Sequence, residues 1–447
     1  MNPGKQKINP NIIFLMIKIL STRSGKFQKE LNYSLNSRKY NSNSKIAVVR
    51  QIVKDTKEKK DKSLIKYEKK FNRLKVLSKK NLSFSKTEIK RNIKKLDNKI
   101  KNSIDLAYNR VLSFHKKQKF KNFKTQDKYK NIFSYRSKPL DKIGVYVPGG
   151  TASYPSSVLM NCIPAIVAGV KEIFMTVPST NGKVNPGVLY AAKKCKVKKI
   201  YKVGGAQAIA ALAFGTETVE KVDKIIGPGN QYVALAKKEV FGAVGIDMFA
   251  GPSEVTIIAD KYSNPDWVAA DLIAQSEHDE MSQSILITNS KEMIFKVKKY
   301  INKQIRFLPK RKIISNSLKK FGLAILAKNS KEISDIVNEI SPEHLEIYTK
   351  RPETYLKNIQ NAGSIFLGGY SPEAIGDYLA GPNHVLPTSG TAKFSSGLSV
   401  YDFLKRQSII KITKSGIERL GSSVISLAEY ENLRGHANSV KIRIKQR

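Results

Sequence analysis

The sequence predicts an α/β protein with two parallel-sheet blocks, a helical N-terminal region and a C-terminal arm. Three observations carry that prediction. Short apolar runs alternate with helical stretches from residue 143 onward. Glycines close many of the strand-like runs, as in IGVYVPGG, KIYKVGG and GSIFLGG. The alternation occurs twice, in two similar blocks, which implies paired sheets of βαβ units. Ligands of such sheets sit beyond the C-terminal ends of the strands.

Residues 1–44 read as a basic tail and lead-in. The run NIIFLMIKIL (11–20) is too short to span a bilayer and is broken by Lys18. No acid occurs before Glu30, so a transit-type leader is conceivable. A short disordered tail, added by a start codon upstream of Met16, is the favoured expectation. Residues 45–142 read as a helical region packed on the second α/β block. Its pattern IKRNIKKLDNKIKNSIDLAYNRVLSFH keeps Ile, Leu, Ala and Val three or four apart, the spacing of one helix face. His115 ends that pattern among lysines and reads as a surface residue.

The first block spans 143–252. IGVYVPGG is a strand and turn, SSVLMNCIPAIVAGV a buried helix and EIFMTVP a second strand. KIYKVGG and VDKIIGPGN add strands, with AQAIAALAFG as a helix between them. The second block spans 253–384, through EVTIIAD, QSILIT, LAILAK, HLEIYT and GSIFLGG. Residues 385–447 turn to loops and helices and read as an arm.

Charge is the one unusual total. Lys and Arg number 80 against 36 Asp and Glu, a net +44. Residues 1–140 hold 39 of the bases and 9 of the acids. A nucleic-acid binder would cluster such bases in a recognisable motif. No zinc-finger spacing, interleaved aromatic run or heptad zipper occurs. DTKEKKDKSLIKYEKKFNRL (55–74) mixes signs over apolar residues at helical spacing, as a solvated helix face does. No specific nucleic-acid partner and no membrane are expected. The two cysteines, Cys162 and Cys195, form no CxxC and sit in apparent helices, which fits buried packing in a reducing compartment.

Candidate chemistry gathers around the histidines. The GxGxxG fingerprint of common dinucleotide folds is absent. VPGGTASYP and GPGNQY are nonetheless glycine-rich turns at strand ends, where a phosphate can approach backbone. Four of the five histidines keep unusual company: AQSEHDE (His278), SPEHLE (His344), GPNHVLP (His384) and ENLRGHANS (His436). Gln275 and His278 share a helix face at i,i+3. Their oxygen and nitrogen suit a borderline cation, and Asp377 in IGDYLAGPNH can add a carboxylate. In SPEHLEIY, His344 suits a general base near neutral pH, and Glu343 beside it can handle a second proton or orient water. Adjacent strand residues face opposite ways, so both reach one site only through a turn, which Pro342 makes plausible. A metal-dependent hydrolase would use the same ligands on a bound water. It would leave the glycine-rich strand ends without a purpose.

The runs VYVPGG, KVGGAQAIAALAFGTETVEKVDKIIGPGN, IDMFAGPSEV, DLIAQSEHD, SPEHLEI, GSIFLGGYSPEAIGDYLAGPNHVLPTSGTA and LAEYENLRGHANSV resemble the histidinol dehydrogenase family. The likeness spans roughly residues 45 to 443; only the extreme N-terminus departs from it. It implies oxidation of L-histidinol to L-histidine, with two NAD reduced in sequence, in the cytoplasm. It implies two Rossmann-like domains without the usual glycine fingerprint, the first on the NAD side, in an intertwined homodimer with shared active sites. Glu343 and His344 would be catalytic. One Zn2+ per subunit would be held by Gln275, His278, Asp377 and a partner's His436, and the substrate would complete its shell. Ser253, His384 and Glu431 match substrate-pocket positions, and Tyr146, Gln207 and Asn230 match positions that contact NAD.

Overall fold

The computed structural model of the chain describes residues 17–38, 43–73, 79–118, 120–149, 154–249 and 251–444. In chain order its strands are β1 (Lys18–Ser21), β2 (Lys124–Gln126), β3 (Ile132–Pro139), β4 (Lys142–Tyr146), β5 (Glu172–Thr176), β6 (Lys199–Tyr201), β7 (Lys224–Ile226), β8 (Gly245–Ile246), β9 (Glu254–Ala259), β10 (Gln283–Thr288), β11 (Leu323–Leu326), β12 (His344–Tyr348), β13 (Ser364–Leu367) and β14 (Leu404–Lys411).

Two all-parallel sheets form the body. The first has the order β6-β5-β4-β7-β8 and the second β1-β11-β10-β9-β12-β13. Without β1, the second order repeats the first: each sheet starts at its centre, grows two strands one way, then two the other. Both faces of each sheet are covered, so the strands read as near-continuous apolar runs. Ile143 and Val145 of β4 join one core, and Tyr146 joins the core on the opposite face. Val255 and Ile257 of β9 divide from Ile258 in the same way.

Four expectations need correction. Ile17 to Ser21, within the stretch 1–44 read as tail and lead-in, are built into the second sheet: β1 pairs parallel with β11, Ile17 and Leu20 are buried, and the helix Phe27–Asn36 follows. An edge strand covers backbone groups that β11 would otherwise expose. Residues 1–16 of that expectation lie outside the described residues. The helical region packs on the first α/β domain, not the second. Asn43–Asn72, broken at Lys60 (φ 52°), lies on the helices Gly205–Phe214 and Gln231–Val240, while Asn98–His115 lies on Pro155–Ala168. Its end is not helical either. β2 and β3 form an antiparallel sheet with β14, from Leu404↔Pro139 to Lys411↔Ile132. His115 is fully buried, with Nδ1 2.9 Å from Gln118 Oε1, because its helix is clamped between the first domain and the 383–400 segment. Both cysteines are free and buried.

Candidate active site

A cleft of about 530 Å³ opens between the two parallel sheets. The first sheet meets it as parallel sheets commonly do. Its connections reverse direction between β4 and β7, which leaves a crevice at their C-terminal ends. Pro148 and Gly149 after β4, and Pro228, Gly229 and Asn230 after β7, line that wall. Gly227 has φ +108°, and a Cβ there would run into the Tyr146 carbonyl oxygen, so only glycine lets the two turns close up. A buried pair, Lys237 and Asp247, straps this turn. Lys237 Nζ lies 2.6 Å from Asp247 Oδ1 and donates to the Gly227 carbonyl, while the Gly227 N–H donates to Asp247 Oδ2. The second sheet departs from the expectation and offers its N-terminal ends. Ser253 precedes β9, Met281 and Ser282 precede β10, and Glu343 precedes β12, whose first residue is His344.

The turn that brings Glu343 and His344 to one place is built at Ser341. The helix Ser330–Ile340 ends there with φ +51°, and Pro342 follows. Both side chains then line the cleft. The main chain of Glu254 in β9 holds them both. Its N–H donates to Glu343 Oε2 at 2.9 Å, and its carbonyl lies 3.1 Å from His344 Nδ1. A carbonyl can only accept, so Nδ1 carries the proton and Nε2 carries the lone pair. Nε2 is buried and has no protein partner. Burial pushes the imidazole down to about 4, so it is neutral at neutral pH. Burial, and then the Glu254 carboxylate, push the Glu343 carboxyl well above its usual range.

A second group of side chains sits at the same end of the cleft. Ligand atoms of His278, Glu373 and Asp377 all lie within 4.8 Å of one another. His384 Nδ1 donates to the Asp377 carbonyl oxygen at 2.9 Å and stands 3.5 Å from its carboxylate. Burial raises Asp377, but the His384 hydrogen bond and the nearby imidazoles outweigh it, and the carboxyl ends below its usual range. Gln275 is the penultimate residue of the helix Pro265–Ser276, so His278 falls just beyond the helix rather than on its face as expected; both polar atoms of the Gln275 side chain are buried without a partner. An imidazole and two carboxylates so grouped, with an orphaned buried carboxamide three residues away in the chain, are donors that suit a divalent cation, so the residues present fit one.

The remaining expected residues divide. Ser253, Asn230 and Tyr146 line the cleft. Asn230 also caps the helix Gln231–Val240, accepting from Tyr232 and Val233 N–H. Gln207 does not line the cleft: it is buried, and its Nε2 donates to Glu68 Oε1 at 2.8 Å. Glu431 and His436 lie exposed on the arm, outside the cleft. Part of the VPGGTASYP turn, residues 150–153, lies outside the described residues.

Sequence reasoning missed Glu373. It is buried, 3.5 Å from His344 Nδ1, and its Oε2 is unpartnered. Its i,i+4 spacing from Asp377 in SPEAIGDY was the available signal. Its N–H donates to Glu346 Oε1 at 2.7 Å, and Glu346 in turn bonds Asp271. Burial, reinforced by mutual repulsion, raises Glu346 and Glu373 well above the usual range, and burial lifts Asp271 to about 6. Burial without counter-ions thus favours the neutral form of Glu346 and Glu373, and of Asp271 less strongly.

Comparison with known proteins agrees along nearly the whole chain. A family model described as histidinol dehydrogenase matches residues 35–444. The histidinol dehydrogenase of Pelagibacter ubique is 52% identical over 433 residues, covering 97% of this chain and 100% of the relative. That of Clostridium acetobutylicum is 49% identical over 92% of this chain and 95% of its own length. The crystal structure of histidinol dehydrogenase from Elizabethkingia anophelis superposes with a TM-score of 0.90 at 37% identity, covering 96% of this chain and 98% of that one.

Proposed function

The chain belongs to the histidinol dehydrogenase family of oxidoreductases, and on that premise we propose that it oxidises L-histidinol to L-histidine with two NAD, the last step of histidine biosynthesis. One observation supports this reading most directly. His344, whose buried Nε2 has no protein partner, lines a cleft whose opposite wall is the glycine-rich switch point of the first sheet. One domain supplies the base, the other a seat for a dinucleotide beside it.

The two oxidations divide between two residues. His344 Nε2 takes the alcohol proton as hydride leaves the carbinol carbon for NAD. The aldehyde stays bound in the cleft. Water then adds to its carbonyl carbon, its proton taken by the Glu343 carboxylate with His344 assisting. The hydrate gives its hydride to a second NAD and leaves as the carboxylic acid, which ionises. A raised Glu343 is a stronger base than an ordinary carboxylate once it has lost its proton, which suits work near neutral pH. Cysteine-based aldehyde oxidation has no support, because Cys162 and Cys195 are buried away from the cleft.

Gln275, His278 and Asp377 would hold a zinc ion, which when bound supplies a fixed positive charge for the substrate's amine and imidazole. Ser253 and His384 would line the substrate, and Tyr146, Gln207 and Asn230 would serve NAD. For Gln207 this requires release from Glu68 or an effect through it. A second copy of the chain would bring its Glu431 and His436. The arm that carries them exposes Ile409, Ile410, Leu420, Leu427 and Leu433, an apolar surface a homodimer would cover. No helix among the described residues is long and apolar enough to cross a membrane. The cytoplasm is the proposed compartment, in keeping with two free thiols.

Purified, zinc-loaded protein mixed with L-histidinol and NAD tests the reading. Two NADH per histidine, with no free aldehyde, is the expected result. Absence of NADH from an intact, metal-loaded dimer would bring the hydrolase reading forward.

A further inference from the structure

Arg38 is among the buried charges that the mechanism leaves without a task. Arg38 follows the N-terminal helix Phe27–Asn36 and is 2% exposed. All five of its N–H groups are used. Nε donates to Met281 O at 2.9 Å, and Nη1 to Glu254 Oε2 at 2.7 Å and Gln283 Oε1 at 2.9 Å. Nη2 donates to Pro252 O at 2.6 Å and Ser253 O at 3.1 Å. These acceptors belong to the two segments that enter β9 and β10 at the cleft, where Pro252, Ser253 and Met281 form the wall.

Desolvating a guanidinium offsets most of what its partners contribute, so it is a poor device for stability alone. Its reach is what stands out. Glu254 is the residue whose N–H holds Glu343 and whose carbonyl holds His344. The Glu254 side chain is itself fixed at both oxygens, by Arg38 on Oε2 and by the Ser389 N–H on Oε1 at 2.9 Å. A planar fork can grip a carboxylate, a carboxamide and three carbonyls together, and a lysine cannot.

We propose that Arg38 is a positioning residue, which through Glu254 sets the orientation of both Glu343 and His344. The N-terminal segment is thereby part of the active site's support, although it touches no substrate. This rests on the reading of Glu343 and His344 as the catalytic pair.

The test uses the full-length, zinc-loaded protein with Arg38→Met, Arg38→Lys and Glu254→Gln. Misplacing a reacting group by about 1 Å can cost about 100-fold. Arg38→Met is therefore expected to lower kcat about 10- to 100-fold per folded molecule, with metal content and the KM for NAD unchanged. Arg38→Lys should fall between it and wild type. In ¹⁵N-histidine spectra the five imidazoles are few enough to assign, and the wild-type His344 should report the Nδ1–H tautomer. Arg38→Met should shift that signal toward a tautomer mixture, a readout that needs no turnover. If Arg38→Met does not fold, Arg38→Lys and Glu254→Gln carry the test. Wild-type kcat and an unmoved His344 signal in the folded variants would overturn the proposal, as would a loss explained entirely by unfolded protein. Wild-type protein inert toward histidinol would instead refute the functional reading, and the His344 signal would still judge Arg38.

Discussion

His344→Asn and Glu343→Gln should separate the two oxidations. Asparagine places its Nδ2 near the position of the histidine Nδ1, so the bond to the Glu254 carbonyl can survive while the Nε2 lone pair is lost. Glutamine keeps an oxygen for the Glu254 N–H. It also resembles the protonated carboxyl that burial favours at rest, so the fold should barely notice it. Each change therefore removes a proton acceptor and little else. A positioned general base contributes about 10²- to 10⁴-fold, or about 3–5 kcal/mol of barrier. His344→Asn should lose that factor in both oxidations. Glu343→Gln should lose it in the aldehyde step and stay within about threefold of wild type in the alcohol step. Stopped-flow NADH absorbance measures the first step with L-histidinol in a single turnover, and the second with added L-histidinaldehyde. Equal losses at both steps in both variants would refute the division of labour.

Three further outcomes follow from the same geometry. Gln275→Leu should abolish stoichiometric zinc, yet stabilise the metal-free protein by about 1–3 kcal/mol, because it removes two buried, unpaired polar atoms. Metal analysis and metal-free melting curves check it, and retained zinc would contradict the ligand role. Gly227→Ala should cost at least about 2 kcal/mol and raise the KM for NAD, since it combines φ +108° with a clash on the Tyr146 carbonyl; an unchanged melting temperature would contradict this. Burial lowers His115 in the fold, against the Gln118 bond that raises it. The unfolded chain therefore binds more protons, so this share of stability is full above pH 6.5 and fades as pH falls toward the folded value. His115→Phe should flatten that part of the curve in denaturant titrations, and an equally steep acid loss would put its source elsewhere.

Much of this molecule was legible in its sequence because the signals are local. Parallel strands buried on both faces must be apolar throughout, so EVTIIA and QSILIT announce themselves. Glycines at strand ends mark tight turns wherever they occur. Glu343 and His344 stand next to each other, and Gln275 and His278 are three apart, so each pair is visible as a unit. Contacts between distant segments carry no such mark. β3 is strand-like only because β14 lies beside it, some 270 residues later in the chain. His115 among lysines looks exposed, and only the packing of its helix on the first domain buries it. Arg38 is one of 80 basic residues, and nothing in its neighbours tells that five acceptors from residues 252–283 converge on it. The sequence by itself determined the residue types and the alternation that buries two sheets. Only the tertiary structure decided that the second sheet turns its N-terminal ends to the cleft. Strand direction relative to a distant domain depends on how two finished cores dock, and no periodicity along one chain encodes that angle.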